Sequence, residues 1–450
     1  MLVHRSTLRP AARTGPALAG ISLAYFMVLL DTTVLAVAAP DLMADLHTDV
    51  VGVGWATTSY TMFLAAALVL AGALTDRLGP ARVFLGGVTG FGVVSLACAA
   101  APGLPALLAA RAALGLLAAA IIPSSMSLLV RLYPDPARRT RAISIWAAVS
   151  GAAMAAGPVI GGLLIEPFGW RAVFVVNAPP AAVVVLLCVR RLPVAATPRP
   201  VSFVPHLLLV AALAAGTLAL SAAGRMHGVV AGAGAGAALL LGVLTLVADR
   251  RSAAPIVPAA LRRNAPARAA FAWGAVVNHA LATVLFVVPL TLHQDAPAVG
   301  ISLLPMTVLV ALNPLATGRI VARFGPLVPI RRGLLAFAAG LLVTAAALAG
   351  VAQPVLLPLG LLCCGLGVSW TLPPLVGYAV SQVDGTVAGA AGGILNAARQ
   401  AGATCGVAVA GAVLALEPDG GRWSSIPLLG SAGLCLVGLV IARRQRHPGV

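Results

Sequence analysis

The sequence contains no lysine and few charged residues of any kind. Only 9% of its 450 residues are charged, whereas soluble domains contain about 25%. All 29 basic residues are therefore arginines, and they outnumber the 12 acidic residues. Because the nucleotide-binding pattern G-x-x-x-x-G-K-S/T requires a lysine, we expect no ATP hydrolysis. The loops contain no nucleophile–base set and no metal-ligand cluster, so we predict a protein that is not an enzyme and needs no metal.

Apolar residues are abundant instead. They make up 60% of the chain, and the mean hydropathy is +1.02. A bilayer is crossed by a helix of about 17–25 apolar residues, and no segment between such runs is long enough for a soluble domain, which argues against a sensor or an assembly partner. We therefore predict an all-α polytopic membrane protein. Its fourteen predicted spans are 18–39, 53–75, 83–101, 104–129, 142–163, 171–189, 204–222, 229–248, 270–291, 299–317, 333–351, 354–378, 388–415 and 426–442.

The arginines predict the orientation of these spans. Placing the amino terminus in the cytoplasm puts 24 of the 29 arginines in cytoplasmic segments. Arg171, Arg225 and Arg422 then lie in external loops, and Arg111 and Arg399 lie within spans. The positive-inside rule thus predicts that both termini are cytoplasmic. We expect a multi-pass protein of the plasma (inner) membrane, in contact with lipid and without a nucleic-acid partner, because the arginines form no single basic face.

An internal repeat divides the chain. Gly72-Ala-Leu-Thr-Asp-Arg-Leu-Gly-Pro80 follows the second span, and Gly318-Arg-Ile-Val-Ala-Arg-Phe-Gly-Pro326 follows the tenth. A repeat at this separation predicts two parallel halves of six helices each. The predicted domains are an amino-terminal six-helix bundle at 1–190, a linker with two extra transmembrane helices at 191–268, and a carboxyl-terminal six-helix bundle at 269–450.

Several motifs resemble those of a known family. The loop after the second span resembles the loop signature of the major facilitator superfamily at Gly72, Leu74, Asp76, Arg77, Gly79 and Arg82. The fifth span resembles that superfamily's antiporter signature in the run Gly151-Ala-Ala-Met-Ala-Ala-Gly157-Pro158-Val-Ile-Gly161-Gly162. Two further runs are similar to the fourteen-span drug:proton antiporters: Leu30-Asp31-Thr32-Thr33-Val34, with Arg111 and Gly115 in the fourth span, and Gly392-Gly393-Ile-Leu-Asn396-Ala-Ala-Arg399-Gln400-Ala-Gly402.

The resemblance implies a major facilitator fold with two six-helix bundles plus two extra central spans. It implies proton-coupled efflux of a small amphiphilic compound (a drug, antibiotic or secondary metabolite) by alternating access. The energy source would be the proton gradient, with no cofactor, and we expect a monomer. A proton-coupled importer or a uniporter of a small metabolite would share the fold and is the alternative.

The loop motif also has a physical interpretation. Gly72 and Gly79 would allow a tight turn, Asp76 would accept hydrogen bonds from helix amino-terminal amides, and Arg77 would bridge to a neighbouring loop. In the resembling family this loop latches the two halves together at the cytoplasmic face. The alternative is an ordinary basic loop. Because the second copy has Ala322 in place of the acid, we expect a latch whose carboxylate comes only from the amino-terminal half.

The fifth span predicts a close contact between helices. Its glycines, Gly151, Gly157, Gly161 and Gly162, remove side chains from the helix surface, and Pro158 bends the helix. We predict that this surface forms a tight seam with a helix of the other half. By resemblance, the seam sets the direction of export because it resists leakage when the carrier faces inward. The alternative is a packing helix with no role in coupling.

Asp31 is the only acidic residue inside a long apolar segment. A carboxylate at membrane depth costs about 2.5–3.5 kcal/mol on insertion scales, so we expect it to handle protons or ions. Counting from the span ends places Asp31 and Arg111 at the same depth, roughly 11–12 Å below the outer surface at 1.5 Å per residue. We predict a direct or water-bridged contact that controls the protonation of Asp31. A static salt bridge, or Arg111 binding an anionic group of the substrate, are the alternatives.

Few other polar residues lie within spans. We expect these to line the substrate cavity: Trp146, Asn278, His279, Asn313, Trp370, Asn396, Arg399 and Gln400. His279 would relay protons, or would only be hydrogen-bonded between helices, and tryptophans near span ends are common interface anchors. Arg399 is the strongest candidate because an arginine at membrane depth is costly. One cavity carboxylate against two arginines favours a neutral or anionic amphiphile over an organic dication.

Overall fold

The computed structural model describes residues 14–192, 202–224, 227–252, 255–292, 294–383, 388–416 and 422–445. All regular secondary structure in these ranges is helical, which confirms the all-α class. The helices are α1 (Thr14–Val37), α2 (Ala39–Asp45), α3 (Val50–Leu78), α4 (Pro80–Ala99), α5 (Leu104–Leu132), α6 (Pro136–Phe168), α7 (Ala172–Val175), α8 (Ala178–Cys188), α9 (Phe203–Gly224), α10 (Gly228–Arg251), α11 (Ala259–Arg263), α12 (Ala265–Leu292), α13 (Ala296–Ser302), α14 (Leu304–Leu312), α15 (Pro314–Phe324), α16 (Leu327–Leu348), α17 (Gln353–Ser381), α18 (Ala388–Leu414) and, after a 3₁₀ turn (Arg422–Ser425), α19 (Ile426–Arg444).

Many of these helices are long enough to cross a membrane. In the described ranges eleven of them have the necessary length and apolar composition, and α14 with α15 makes a twelfth if this bent pair is one span. The chain is therefore a multi-pass membrane protein. The two remaining predicted spans coincide with α6 and with the interrupted pair α7 and α8, whose apolar stretches are shorter. The total of fourteen spans stays a prediction.

Several of the few acidic residues begin helices. Asp49 and Asp135 each accept a hydrogen bond from the backbone N–H three residues later, at 2.8 Å, and Asp295 does the same at 3.2 Å. Each carboxylate satisfies an N–H that the first turn of α3, α6 or α13 would otherwise leave unpaired. Asp31 differs from these residues because it lies inside α1 and has no helix end to cap.

The internal repeat is visible in the backbone. Gly79 and Gly325 have φ angles of +89° and +74°, a region that favours glycine. Each follows a helix, precedes a proline and donates its N–H to the carbonyl four residues earlier, at 3.0 and 2.9 Å. The prediction that Gly72 forms part of the turn is wrong, because α3 continues through it to Leu78. A single glycine therefore makes the turn in each copy.

The helices form two bundles, α1–α8 and α12–α19, with α9 and α10 beside them. Helix α9 packs on α10 and also contacts both α3 and α18, so the extra pair lies along the junction of the bundles. Helix α10 presents large apolar side chains such as Leu239, which is 72% exposed. Lipid tails are as apolar as leucine, so this surface suits the bilayer. The boundaries at 190 and 268 stay predictions.

The two bundles meet where α3 contacts α18 and where α6 contacts α13 and α14. The hydroxyl oxygens of Thr61 and Thr404 are 2.8 Å apart across this junction. Nearer the predicted extracellular end, the Phe286 ring lies between Gly54 and Gly411, 3.7 Å from the place that a Cβ on either glycine would occupy. The bundles are therefore packed together at the predicted extracellular end.

Helices α12 and α18 approach each other closely at two glycines. A Cβ on Gly402 would lie 2.1 Å from the carbonyl oxygen of Ala275, and one on Gly406 would lie 2.4 Å from that of His279. Gly402→Ala should force the helices apart and sharply lower the melting temperature of the detergent-solubilised protein. Gly393→Ala is the matched control, since nothing lies within 4 Å of a Cβ there. It should not lower the melting temperature, because alanine stabilises a helix by about 1 kcal/mol relative to glycine. Equal melting temperatures would contradict this close packing.

Candidate functional site

Asp31 of α1 and Arg111 of α5 form a buried ion pair, and both side chains are 1% exposed. The predicted contact is therefore present. The Arg111 Nε also donates to the backbone carbonyl of Ala56 at 2.9 Å, and the guanidinium carbon lies 4.5 Å from the centre of the Tyr60 ring. Because the charge of Arg111 is paired and enclosed, the alternative that it binds a group of the substrate does not fit this geometry.

Sequence reasoning missed a third member of this site, Asn177. It lies between α7 and α8 and is 1% exposed. Its side-chain N–H₂ donates to the other carboxylate oxygen of Asp31 at 3.3 Å and to the Ser95 hydroxyl at 3.2 Å. Its buried amide oxygen accepts no hydrogen bond within the described ranges. An amide can donate to an ionised carboxylate or, after rotation, accept from a protonated one. The sequence feature that could have identified Asn177 is its position within an apolar run, two residues before a pair of prolines.

A cavity lies between the two bundles, next to this ion pair. Its walls come from α1 and α3 on one side and from α12 and α18 on the other. Asp31 is not in the lining, but the next residue, Thr32, is. Most of the lining is apolar, and three predicted cavity residues, Asn278, Arg399 and Gln400, belong to it. The ion pair and the cavity therefore share helix α1, at adjacent residues.

Arg399 stands in the carboxyl-terminal wall of the cavity with neutral partners. Its Nε donates to the side-chain oxygen of Asn278 at 3.2 Å, and its Nη1 donates to that of Asn396 at 3.1 Å. Asn396 lies one helical turn earlier on α18 and is outside the lining. Within the described part of the chain, no acidic side chain forms an ion pair with Arg399.

Two of the other predicted cavity residues, Trp146 and Asn313, make contacts within their own bundles. Trp146 stacks on Tyr25 with ring centres 4.2 Å apart, and the side-chain N–H₂ of Asn313 donates to the Ser369 hydroxyl at 2.8 Å. Trp370 is half-buried, and its indole N–H has no hydrogen-bond partner among the described residues. With Asn396, five predicted residues thus lie outside the cavity lining: Trp146, His279, Asn313, Trp370 and Asn396.

The glycines of α6 face two different neighbours. A Cβ on Gly157 would lie 1.9 Å from the Thr33 hydroxyl oxygen of α1, and Gly161 packs on the same helix. Gly162 instead faces the other bundle, where a Cβ would lie 2.8 Å from the carbonyl oxygen of Ala296. The predicted seam between the halves is therefore present at Gly162, whereas Gly157 and Gly161 pack inside their own bundle.

The cytoplasmic loop signature is described only in part. Arg77 and Arg82 are exposed, while the side chain of Asp76 lies outside the described residues, as do the surroundings of Gly151. The loop latch therefore stays a prediction.

A family model described as Major Facilitator Superfamily matches residues 21–407. The tetracenomycin C resistance and export protein of Streptomyces glaucescens is 33% identical over 440 residues, which cover 93% of this chain and 80% of that protein. The methylenomycin A resistance protein of Streptomyces coelicolor is 31% identical over 455 residues, covering 97% and 94%. A crystal structure of a variant of the nucleoside transporter NupG matches with a TM-score of 0.66 at 13% identity and covers 95% of this chain and 99% of that one, which shows a shared fold.

Proposed function

Because this chain belongs to the Major Facilitator Superfamily and is a transporter rather than an enzyme, we propose that it exports a small amphiphilic compound in exchange for protons. Two relatives at 31–33% identity are named for antibiotic resistance or export, so the compound would be a drug, an antibiotic or a secondary metabolite. The observation that carries the proposal is the buried pair of Asp31 and Arg111 beside a cavity between two bundles. Asp31 would carry the proton, with Arg111 as its partner.

The finer classification is part of this proposal. The motifs of the first, fourth and thirteenth predicted spans favour the fourteen-span drug:proton antiporters. The arginine distribution favours a plasma-membrane protein with both termini in the cytoplasm. The carrier would act as a monomer, and the proton gradient would supply its energy without a cofactor.

The proposed cycle is alternating access. The ion pair is intact and the bundles are packed together at the predicted extracellular end, as expected for ionised Asp31 in a carrier that faces the cytoplasm. Substrate would bind in this state. After the carrier turns outward and releases the substrate, an external proton would neutralise Asp31, weaken its attraction to Arg111 and return the carrier to the inward state.

A short series of contacts would connect the proton to the junction of the bundles. Two residues after Asp31, Thr33 packs directly on Gly157 of α6, and Gly161 contacts the same stretch of α1. The next residue of α6, Gly162, packs on the other bundle. Because glycines leave no side chain to absorb a movement, a shift of α1 on loss of the ion pair would displace α6 and loosen its seam with α13.

Proton movement in reconstituted liposomes tests the proposal. The purified protein is placed in liposomes that contain a pH-sensitive dye, with no initial pH gradient, and tetracenomycin C and methylenomycin A are added separately. We expect at least one compound to move protons in the direction opposite to its own movement. A protonophore should abolish the signal, and liposomes without protein should give none.

Two outcomes favour the alternative functions. Substrate movement without a pH change would indicate a uniporter, and protons that move in the same direction as the substrate would indicate an importer. Either result would remove proton exchange from the proposal and leave Asp31 as a structural residue.

A further inference from the structure

We infer that the central cavity binds an anionic group of its ligand at Arg399. The inference rests on the proposed transport function only in taking this cavity as the substrate site. Binding of an anionic group by Arg111 was one alternative from the sequence, and it does not fit because Arg111 is paired with Asp31 whereas Arg399 has neutral partners.

The charges within the cavity region do not balance. Arg111 is neutralised by Asp31, the only acidic residue inside a predicted span. Among the residues that the structure describes, Arg399 has only two acceptors, the side-chain amide oxygens of Asn278 and Asn396. These dipoles replace part of its hydration but leave its positive charge in place. A charge in an apolar bundle is costly unless it is paired, so an anion is the partner that this site lacks.

The hydrogen-bonding capacity of Arg399 points the same way. A guanidinium has five N–H donors in a planar fork that matches a carboxylate or phosphate. The two amide oxygens engage the Nε and one N–H of Nη1. The Nη2 group has no acceptor within the described ranges, and Arg399 itself belongs to the cavity lining. Because Asn278 and Asn396 hold the fork in place, little side-chain freedom is lost when an anion binds.

The rest of the lining indicates the body of the ligand. Leu29, Leu281, Leu285 and Phe286 contribute apolar walls, and Thr61 and other threonines add hydroxyls. The chemistry of this lining suits an apolar or aromatic compound that carries one acidic group. A cation would meet Arg399 without an available carboxylate, because that of Asp31 is engaged by Arg111 and lies outside the lining.

Binding of a matched series of compounds tests the inference. The purified protein is titrated with 2-naphthoate, the neutral 2-naphthamide and the cationic 2-naphthylmethylamine, and binding is followed by calorimetry. We expect the acid to bind most tightly. Arg399→Gln should weaken binding of the acid by about tenfold to a hundredfold, as expected for a lost charge-assisted hydrogen bond, and should leave the amide unchanged.

Two further variants complete the design. Arg399→Lys keeps the charge without the fork and should retain part of the affinity for the acid. Arg171→Gln also removes one positive charge, but Arg171 is exposed and forms an ion pair with Asp45. The Arg171→Gln variant should therefore bind all three compounds as the unaltered protein does. If Arg399→Gln does not fold, the order of affinity of the three compounds for the unaltered protein still tests the inference.

The inference is overturned if the amide or the amine binds the unaltered protein as tightly as the acid, or if the acid does not bind. It is also overturned if a folded Arg399→Gln variant binds the acid normally. The measurement uses no proton gradient, so it separates this inference from the proposed coupling. Binding of the acid at Arg399 without proton movement in liposomes would retain the anion site and remove the antiport.

Discussion

Asp31→Asn should abolish substrate-driven proton movement, because an amide side chain cannot gain and lose a proton at physiological pH. The substitution also leaves Arg111 buried without its carboxylate, and removing one partner of a buried pair costs about 3–5 kcal/mol. We therefore expect a lower melting temperature together with the loss of coupling. Proton flux in liposomes and thermal unfolding of the purified protein measure the two effects separately.

Two further variants distinguish coupling from folding. The double variant Asp31→Asn, Arg111→Gln removes both charges, so it should recover most of the melting temperature but none of the proton movement. Asp45→Asn is the matched control. Asp45 forms an ion pair with Arg171 at 2.6 Å, but the two side chains are 46% and 43% exposed. Exposed ion pairs contribute little to stability. Substrate-driven proton movement in the double variant would show that Asp31 is not the proton carrier.

The second large effect is expected for Gly162→Ala at the seam between the bundles. A Cβ at this position would lie 2.8 Å from the carbonyl oxygen of Ala296, and across the same seam a Cβ on Gly300 would lie 2.7 Å from the carbonyl oxygen of Pro158. Both distances are shorter than real Cβ contacts. The bundles must separate here to admit an alanine. We therefore expect the extracellular-open conformation to gain population and the transport rate to fall at least severalfold, which corresponds to a free-energy change of about 1 kcal/mol or more.

Labelling of a cavity residue from outside measures this shift. Leu285 of the cavity lining is replaced by cysteine in a background without the six native cysteines, and a membrane-impermeant maleimide is added to cells. Gly161→Ala is the matched control, because a Cβ there would contact Val34 of its own bundle at 3.1 Å. Gly162→Ala should label faster than Gly161→Ala. Equal rates would argue against the seam as the element that closes the extracellular side.

Much of the fold was predictable because insertion into a bilayer depends on hydrophobicity summed along the chain. Helices of the structure lie at all fourteen predicted positions, although only eleven or twelve meet the length and composition of a span. The contact between Asp31 and Arg111 was predictable for a related reason. Two helices that cross one bilayer share a scale of depth, so counting residues from their ends locates both groups.

The positions of the α6 glycines were predictable only in part. Gly157 and Gly161 are four residues apart and therefore share a helix face, whereas Gly162 is turned by about 100° from Gly161. Spacing alone thus separates the two sets. It does not say which set meets α1 and which meets the other bundle, because the rotation of α6 about its axis depends on the helices packed around it.

The sequence by itself determined that the chain is an all-helical membrane protein with one acid and two arginines inside its predicted spans. Only the tertiary structure decided what these charges contact. It brings Asn177 from the break between α7 and α8 to Asp31, pairs Arg111 with Asp31, and leaves Arg399 with two side-chain amides in the cavity wall. The physical reason is that hydrophobicity is a property of each segment, whereas the partners of a buried polar group depend on how several helices are rotated against one another.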